Sequence, residues 1–462
     1  MTKNGVEVFA MVKASEVKQL QKIYEIGGNS IIHLYGTNRS DKESLVKTFL
    51  KDKKYFYYRG RNASPKEQLN QMIQQMEEEY QVKLAKHTFD ECFKRVRSGD
   101  ASKLVVVIDE FQLIAKKTPE LFESLLKLKK KMLYPGPVMI VLCSSSIAWY
   151  HKDMADCLGD HFEAIDEHIL VQEMSFLDII RLFPEYTVKE CVLVYGILGG
   201  VPEYLNEWNP KQTIVDNICN LILRRNGKLY HEAETYIGTE LRELGVYDTI
   251  LASLARGNEK LNDLYRDTGY SRAKISVYLK NLAAFDIAQK VVPFETGGWD
   301  NVKKGVYQIK NHYVNFWFTF VYPHLSNLVM TTPQEFYQQY IARNLDDYLR
   351  RYFVEVCQEY LFLLNQIHKV PIDIQKMGSW IGKTGIIDII GEDFDRNHIV
   401  GICNWQEEML TYAEYEELLL HMKQAKIDAQ VIYLFSAKEF EEQLKKLAAS
   451  DSHIVLVDMT EL

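Results

Sequence analysis

The sequence predicts an α/β protein: a phosphate-loop parallel sheet, a helix-rich middle with the layout of a winged helix, and a C-terminal return to mixed α/β. Three observations carry this. Short apolar runs alternate with amphipathic segments through the first half, the pattern of a parallel sheet covered by helices. One run ends in Gly36, with a lysine six residues on, and a later run ends in Asp109-Glu110. Apolar runs resume beyond about residue 330.

The elements follow in order. IIHLYG (31–36), KYFYYRG (54–60), KLVVVIDE (103–110) and VMIVLCSS (138–145) read as buried strands. SPKEQLNQMIQQMEEEY (64–80) and ELFESLLKLKKKML (120–133) are amphipathic helices between them. Helical pattern dominates from about 175 to 285. Residues 260–287 predict a helix, a tight turn at Thr268-Gly269-Tyr270, and a second helix. VVPF (291–294) and VYQIK (306–310) then flank the glycine-rich loop ETGGWDNVKKG, completing the winged-helix layout. GIIDII (385–390), HIVGICNW (398–405), AQVIYLFS (429–436) and HIVLVDM (453–459) are the last strand candidates.

Composition limits the function classes. The 462 residues are 47% hydrophobic and 26% charged, a soluble globular balance. No apolar run reaches the roughly 18 residues of a membrane span, and the first twenty residues lack the apolar core of a signal peptide. Seven cysteines without a CxxC pair predict reduced thiols in a cytoplasmic protein, with no membrane partner. A net charge of −8 confines any nucleic-acid contact to a local patch.

A phosphate loop requires a strand, G-x-x-x-x-G-K-[ST], and a helix, so that backbone N–H groups cradle phosphates while Lys and a hydroxyl hold phosphate and magnesium. Gly36 and Lys42 stand in register here, with Arg39 between them. Asp41 replaces the second glycine and Glu43 the hydroxyl residue. Ser44 lies one helical step, roughly 100°, from the hydroxyl position. An ordinary strand–turn–helix would carry the same fragment. VVVIDE has the form of a Walker B strand, in which Asp109 holds magnesium and Glu110 polarises water. An acidic pair capping a buried strand is the plainer alternative. Ser144 and Ser145 end the next strand, where a polar residue senses the γ-phosphate or caps a helix.

Taken together, these pieces resemble the archaeal-type ATPase family, AAA-related proteins close to the signal-transduction ATPases with numerous domains (STAND). The family's GRRRVGKT is Gly36-Thr-Asn-Arg39-Ser-Asp-Lys42-Glu here. Its IDEF is matched by Ile108–Phe111, its serine pair by Ser144-Ser145, and its lid motif GGVPxYL by Gly199–Leu205. YQIKNHYVNFWFTFVYP (307–323) matches its aromatic segment. The resemblance implies four parts: an ATPase-like domain (1–165), a helical lid (166–235), a winged helix (236–325) and a restriction-endonuclease-like α/β domain (326–462). It implies ATP and magnesium as cofactors, weakly held because the loop is degraded. In the last domain the family pattern puts Glu355 and Asp388 at a vestigial metal site. The expected Glu and Lys of that pattern are Ile402 and Asn404.

Between 260 and 290 six basic residues face three acids, a balance of +3 in an acidic chain. Arg272, Lys274 and Lys280 lie on the second helix of the pair, and Lys303 and Lys304 join Trp299 on the wing. DNA is therefore one candidate partner; packing between domains is the other use of such a module. Three functions follow: a catalytically impaired, nucleotide-responsive regulator or scaffold; a working ATPase using Lys42, Asp109 and Glu110; or a DNA-binding regulator. A protein partner or homo-oligomer fits each of them.

Overall fold

The computed structural model describes residues 14–37, 39–96, 103–294, 305–382, 385–406 and 408–462. The chain divides into two compact units: residues 1–173 with Val201–Asn206, and Met174–Gly200 with Glu207–Leu462.

A parallel sheet organises the first unit. Its strands are β1 (Ser30–Tyr35), β2 (Lys54–Arg59), β3 (Leu104–Asp109), β4 (Val138–Ser144) and β5 (Glu167–Leu170). Their order is β2-β3-β4-β1-β5, and every ladder is parallel. Both β3 and β4 are buried at every position, as strands covered on two faces must be, which is why they read as unbroken apolar runs. Alternation along each strand feeds two cores. Val106, Ile108, Ile140 and Leu142 pack with Phe56 and Phe93. Val105, Val107, Met139 and Val141 pack on the opposite face with Leu45 and Phe49. The four-residue β5, GluHisIleLeu, gave no apolar run and was not anticipated; it extends the sheet past residue 165.

Strand order decides where a ligand can enter. With β1 between β4 and β5, the chain leaves β1 for one side of the sheet and returns on the other. Open α/β sheets bind ligands at such a switch point, outside the carboxyl ends of the strands. Gly36, Glu110 and Ser145 each follow directly on a carboxyl end there.

The second unit begins with helices. Phe176–Leu182 and Val188–Leu198 each start in a capping box, built by Ser175 with Asp178 and by Thr187 with Glu190. Gly200 then passes so close to Met174 that a Cβ would lie 1.9 Å from the Met174 carbonyl oxygen. That packing accounts for a glycine in the GGVPEYL segment. Leu261–Thr268 ends at Gly269 (φ 73°), and Ser271 caps Arg272–Ala284 by accepting from the Lys274 N–H. An antiparallel pair follows, β6 (Ala288–Val291) and β7 (Val306–Ile309). β6 lies three residues earlier than the apolar run 291–294 suggested. Pro293 has no N–H to give a ladder, so the strand ends before it. The aromatic segment is core: Tyr313, Phe316, Trp317 and Phe318 are buried.

A second sheet completes this unit. It contains β8 (Lys376–Ile381), β9 (Ile386–Glu392), β10 (His398–Asn404), β11 (Ala429–Ser436) and β12 (Ile454–Asp458). The order is β12-β11-β10-β9-β8, with β8–β9–β10 antiparallel and β10–β11–β12 parallel. Ile387, Ile390, Val400 and Leu434 meet Leu418 and Met422 of the helix Tyr412–Ala425 in its core. No helix among the described residues is long and apolar enough to cross a membrane.

Candidate functional site

A cleft of about 290 Å³ opens at the switch point of the first unit. Arg39, Asp41, Lys42, Glu43, Ser44, Arg59, Asp109, Glu110, Ser145, Glu203 and Asn206 line it. Five of these are acids and three are bases, so the wall is net negative.

The loop after β1 explains the cleft floor. Gly36 is required by close approach: a Cβ there would lie 2.7 Å from Ser40 Oγ and 2.8 Å from the Val171 carbonyl oxygen. Asn38 lies outside the described residues. Asp41 adopts the left-handed conformation, φ 53° and ψ 41°. A glycine enters that region freely, and aspartate is among the few other residues that tolerate it. Asp41 thus keeps the backbone turn while adding a carboxylate. The carboxylate turns inward and accepts the Ser44 N–H at 3.3 Å, capping the helix Lys42–Leu50. A helix N-terminus with free N–H groups is an anion site; this one holds an anion of its own chain.

Every cation of the cleft also has a partner. Lys42 is buried, and its Nζ donates to the Thr37 carbonyl at 2.5 Å and to Ser40 Oγ at 3.2 Å. Burial pushes its ammonium pKa down. Arg39 pairs with Glu203 at 3.4 Å. Arg59, which β2–β3 register sets beside Asp109, lies 3.7 Å from both Glu43 and Asp109 and 3.8 Å from Glu110. Glu43 accepts from Lys47 at 2.6 Å, and that bond lowers its pKa.

The acidic end of β3 is equally occupied. Asp109 accepts the Tyr57 hydroxyl at 2.6 Å and the Glu110 N–H at 2.9 Å. Burial raises the Asp109 pKa despite the Tyr57 bond. Glu110, itself left-handed (φ 53°), accepts from Ser145 Oγ at 2.9 Å and from Gln112 at 2.6 Å. Magnesium is ordinarily held by one or two carboxylates together with phosphate oxygens. Among the described residues no group of three or more His, Cys, Asp or Glu side chains could hold a metal ion.

Residues 13–208 match a family model described as an ATPase domain predominantly from Archaea. An archaeal-type ATPase domain therefore spans residues 13–208. Residues 317–427 match a second model, described as archaeal and bacterial proteins of unknown function. An uncharacterized protein of Methanocaldococcus jannaschii is 23% identical over 396 residues, covering 86% of this chain and 87% of that one. Two solved structures are similar at low scores. The Walker-type ATPase PABY2304 of Pyrococcus abyssi has a TM-score of 0.43 and 18% identity, covering 66% of this chain and 95% of its own. The Aeropyrum pernix ORC2 protein has a TM-score of 0.44 and 12% identity, covering 71% and 96%.

Within the ATPase domain, Arg39, Lys42, Ser44, Asp109 and Glu110 line one cleft, and Gly36 begins the loop beside it. Ser144 does not join them. It is buried, and its hydroxyl is 2.7 Å from His33 Nε2, so Ser145 is the serine that reaches the cleft. A strand turns successive side chains to opposite faces, and the motif could not say which serine faced out. Sequence reasoning passed over Arg59 and Asn206. Arg59 was recoverable from its place at the end of the strand beside Asp109.

The C-terminal candidates separate. Glu355 lies on the helix Leu345–Gln366, 3.2 Å from both His312 Nε2 and Arg351 Nε. The hydrogen bond from His312 and the Arg351 guanidinium hold its pKa below the ordinary value in spite of burial. Asp388 instead accepts the Cys403 N–H at 2.9 Å. The two carboxylates thus have different partners, Glu355 two side chains and Asp388 a backbone N–H. Asn404 closes a turn, bonding the Gln406 N–H and the Glu408 carbonyl. Arg272 packs on Tyr265 at 4.1 Å and donates to Asn262 at 2.7 Å, while Lys274 lies over Tyr270 at 4.6 Å. Lys280 is exposed. Trp299, Lys303 and Lys304 lie outside the described residues.

His33, beneath the loop, gives a measurable consequence. Burial, with His168 at 3.1 Å and Lys42 nearby, lowers its pKa from 6.5 to about 3. The unfolded chain therefore takes up this proton first as pH falls. The stability due to neutral His33 is complete above pH 6.5 and is lost toward pH 3, at a limit of about 1.4 kcal/mol per pH unit. Thermal melts of His33→Gln should show a shallower decline over this range than the natural chain. Identical pH slopes would remove His33 from the account.

Proposed function

We propose that this archaeal-type ATPase is a nucleotide-responsive regulator or scaffold with weak nucleotide binding and little hydrolysis. The observation that carries the reading is the Asp41 carboxylate at the N-terminus of Lys42–Leu50. Its charge stands where a phosphate would. Two like charges ~4 Å apart at an effective dielectric of ~20 repel by about 4 kcal/mol. Lys42 is turned to the Thr37 carbonyl, Glu43 brings a second carboxylate in place of a hydroxyl, and Asp109 already accepts two hydrogen bonds. The residues present do not fit magnesium triphosphate in this arrangement.

Asp41→Gly with Glu43→Thr should strengthen magnesium-ATP binding by at least about tenfold, more than Lys42→Ala weakens it. Calorimetry on the three proteins decides. Tight binding by the natural chain, abolished by Lys42→Ala, would favour a working ATPase using Lys42, Asp109 and Glu110.

For the second unit we propose a helical lid, a winged helix and a nuclease-like domain without nuclease chemistry. Glu355 and Asp388 serve separate structural bonds there, and Ile402 and Asn404 supply neither metal ligand nor cation. Incubation with duplex or single-stranded DNA, or with RNA, in magnesium or manganese should leave each intact. Cleavage lost in Asp388→Ala would refute the proposal.

A further inference from the structure

At one end of the β8–β9 ladder the turn Asp393–Asn397 presents Phe394, 84% exposed. The turn is built rigidly: Asp393 accepts the N–H groups of Asp395 and Asn397 at 2.9 Å and 2.8 Å, and the Asn397 side-chain amide at 2.8 Å. A large aromatic is thus held out in water between two aspartates, with Arg396 following. Burial of one such ring is worth about 2–3 kcal/mol, and aromatic anchors of this kind dominate protein interfaces.

Near the other end of the same ladder lies a pocket of about 610 Å³ within the same unit. Leu261, Pro293, Tyr307 and Ile381 give it apolar walls, and Lys260 and Lys290 are exposed at it. Ile381 is itself 49% exposed. The knob carries Asp393 and Asp395 against one base, Arg396, and the hole carries two lysines, so a net negative knob faces a positive hole.

Knob and hole cannot meet within one chain. Strand pairing sets Glu392, beside the knob, against Lys376, and Ile386 against Ile381 at the hole. Five residue steps of about 3.4 Å separate the two ends by roughly 17 Å. We propose that Phe394 of one copy seats in the Leu261–Tyr307–Ile381 pocket of a second copy, giving head-to-tail self-association. Each copy keeps one free knob and one free hole, so the contact is heterologous and runs on to rings or chains.

Sedimentation velocity over a concentration series tests this. The natural chain should form species larger than dimers. Phe394→Asp and Ile381→Asp should each weaken assembly by at least about tenfold. An equimolar mixture of the two should recover assembly but stop at the dimer, because one intact knob and one intact hole remain. Both changes lie at exposed side chains, and melting curves verify that each variant is folded. A natural chain that stays monomeric throughout, or a mixture no larger than its components, overturns the proposal. So does a Lys260→Glu, Lys290→Glu double variant that loses duplex DNA retention while assembling normally; the pocket would then be a nucleic-acid contact.

Discussion

The first unit's site depends on one hydrogen bond, from the Ser44 N–H to the Asp41 carboxylate. That bond satisfies a helix N-terminus with an internal anion, and the rest of the cleft follows from it. Lys42 donates to the Thr37 carbonyl, and Arg39 and Arg59 pair with Glu203, Glu43, Asp109 and Glu110. The result is a phosphate loop with its backbone turn preserved and its charges mutually satisfied. Glycine and aspartate are both able to hold the left-handed turn at position 41, so the substitution changes the electrostatics without demanding a new fold.

Much of this was legible in the chain. IIHLYG, KYFYYRG, KLVVVIDE and VMIVLCSS each fell on a strand; the last two are buried at every position of their strands, which is why their runs are apolar. The turn at Gly269 was readable from residue chemistry alone. β5 and β8 were not: Glu167–Leu170 is short, and Lys376–Ile381 lies at an edge, so neither needs a continuous apolar run. The motif named Lys42, Asp109 and Glu110 but not Arg59, whose role comes from ladder register. It could not choose between Ser144, the buried last residue of β4, and Ser145, which follows the strand and reaches the cleft.

In the C-terminal sheet, family-matched positions have acquired other duties. Glu355 binds His312 and Arg351, Asp388 fixes the backbone of β10, and Asn404 closes the turn after it. Pattern matching along a sequence names such positions without naming what each side chain bonds. Partners are chosen by packing between the helix Leu345–Gln366 and the sheet, which no local window contains.

The central claim is that the loop is held by its own carboxylate in place of a nucleotide. Amide hydrogen exchange over residues 36–50, with and without magnesium-ATP, tests it most directly. In the natural chain the Ser44 region should be protected without nucleotide and unchanged by it. In Asp41→Gly with Glu43→Thr, protection should be low without nucleotide and rise when it is added. Strong ATP-induced protection of this loop in the natural chain, at nucleotide concentrations that leave the double variant unaffected, would contradict the account.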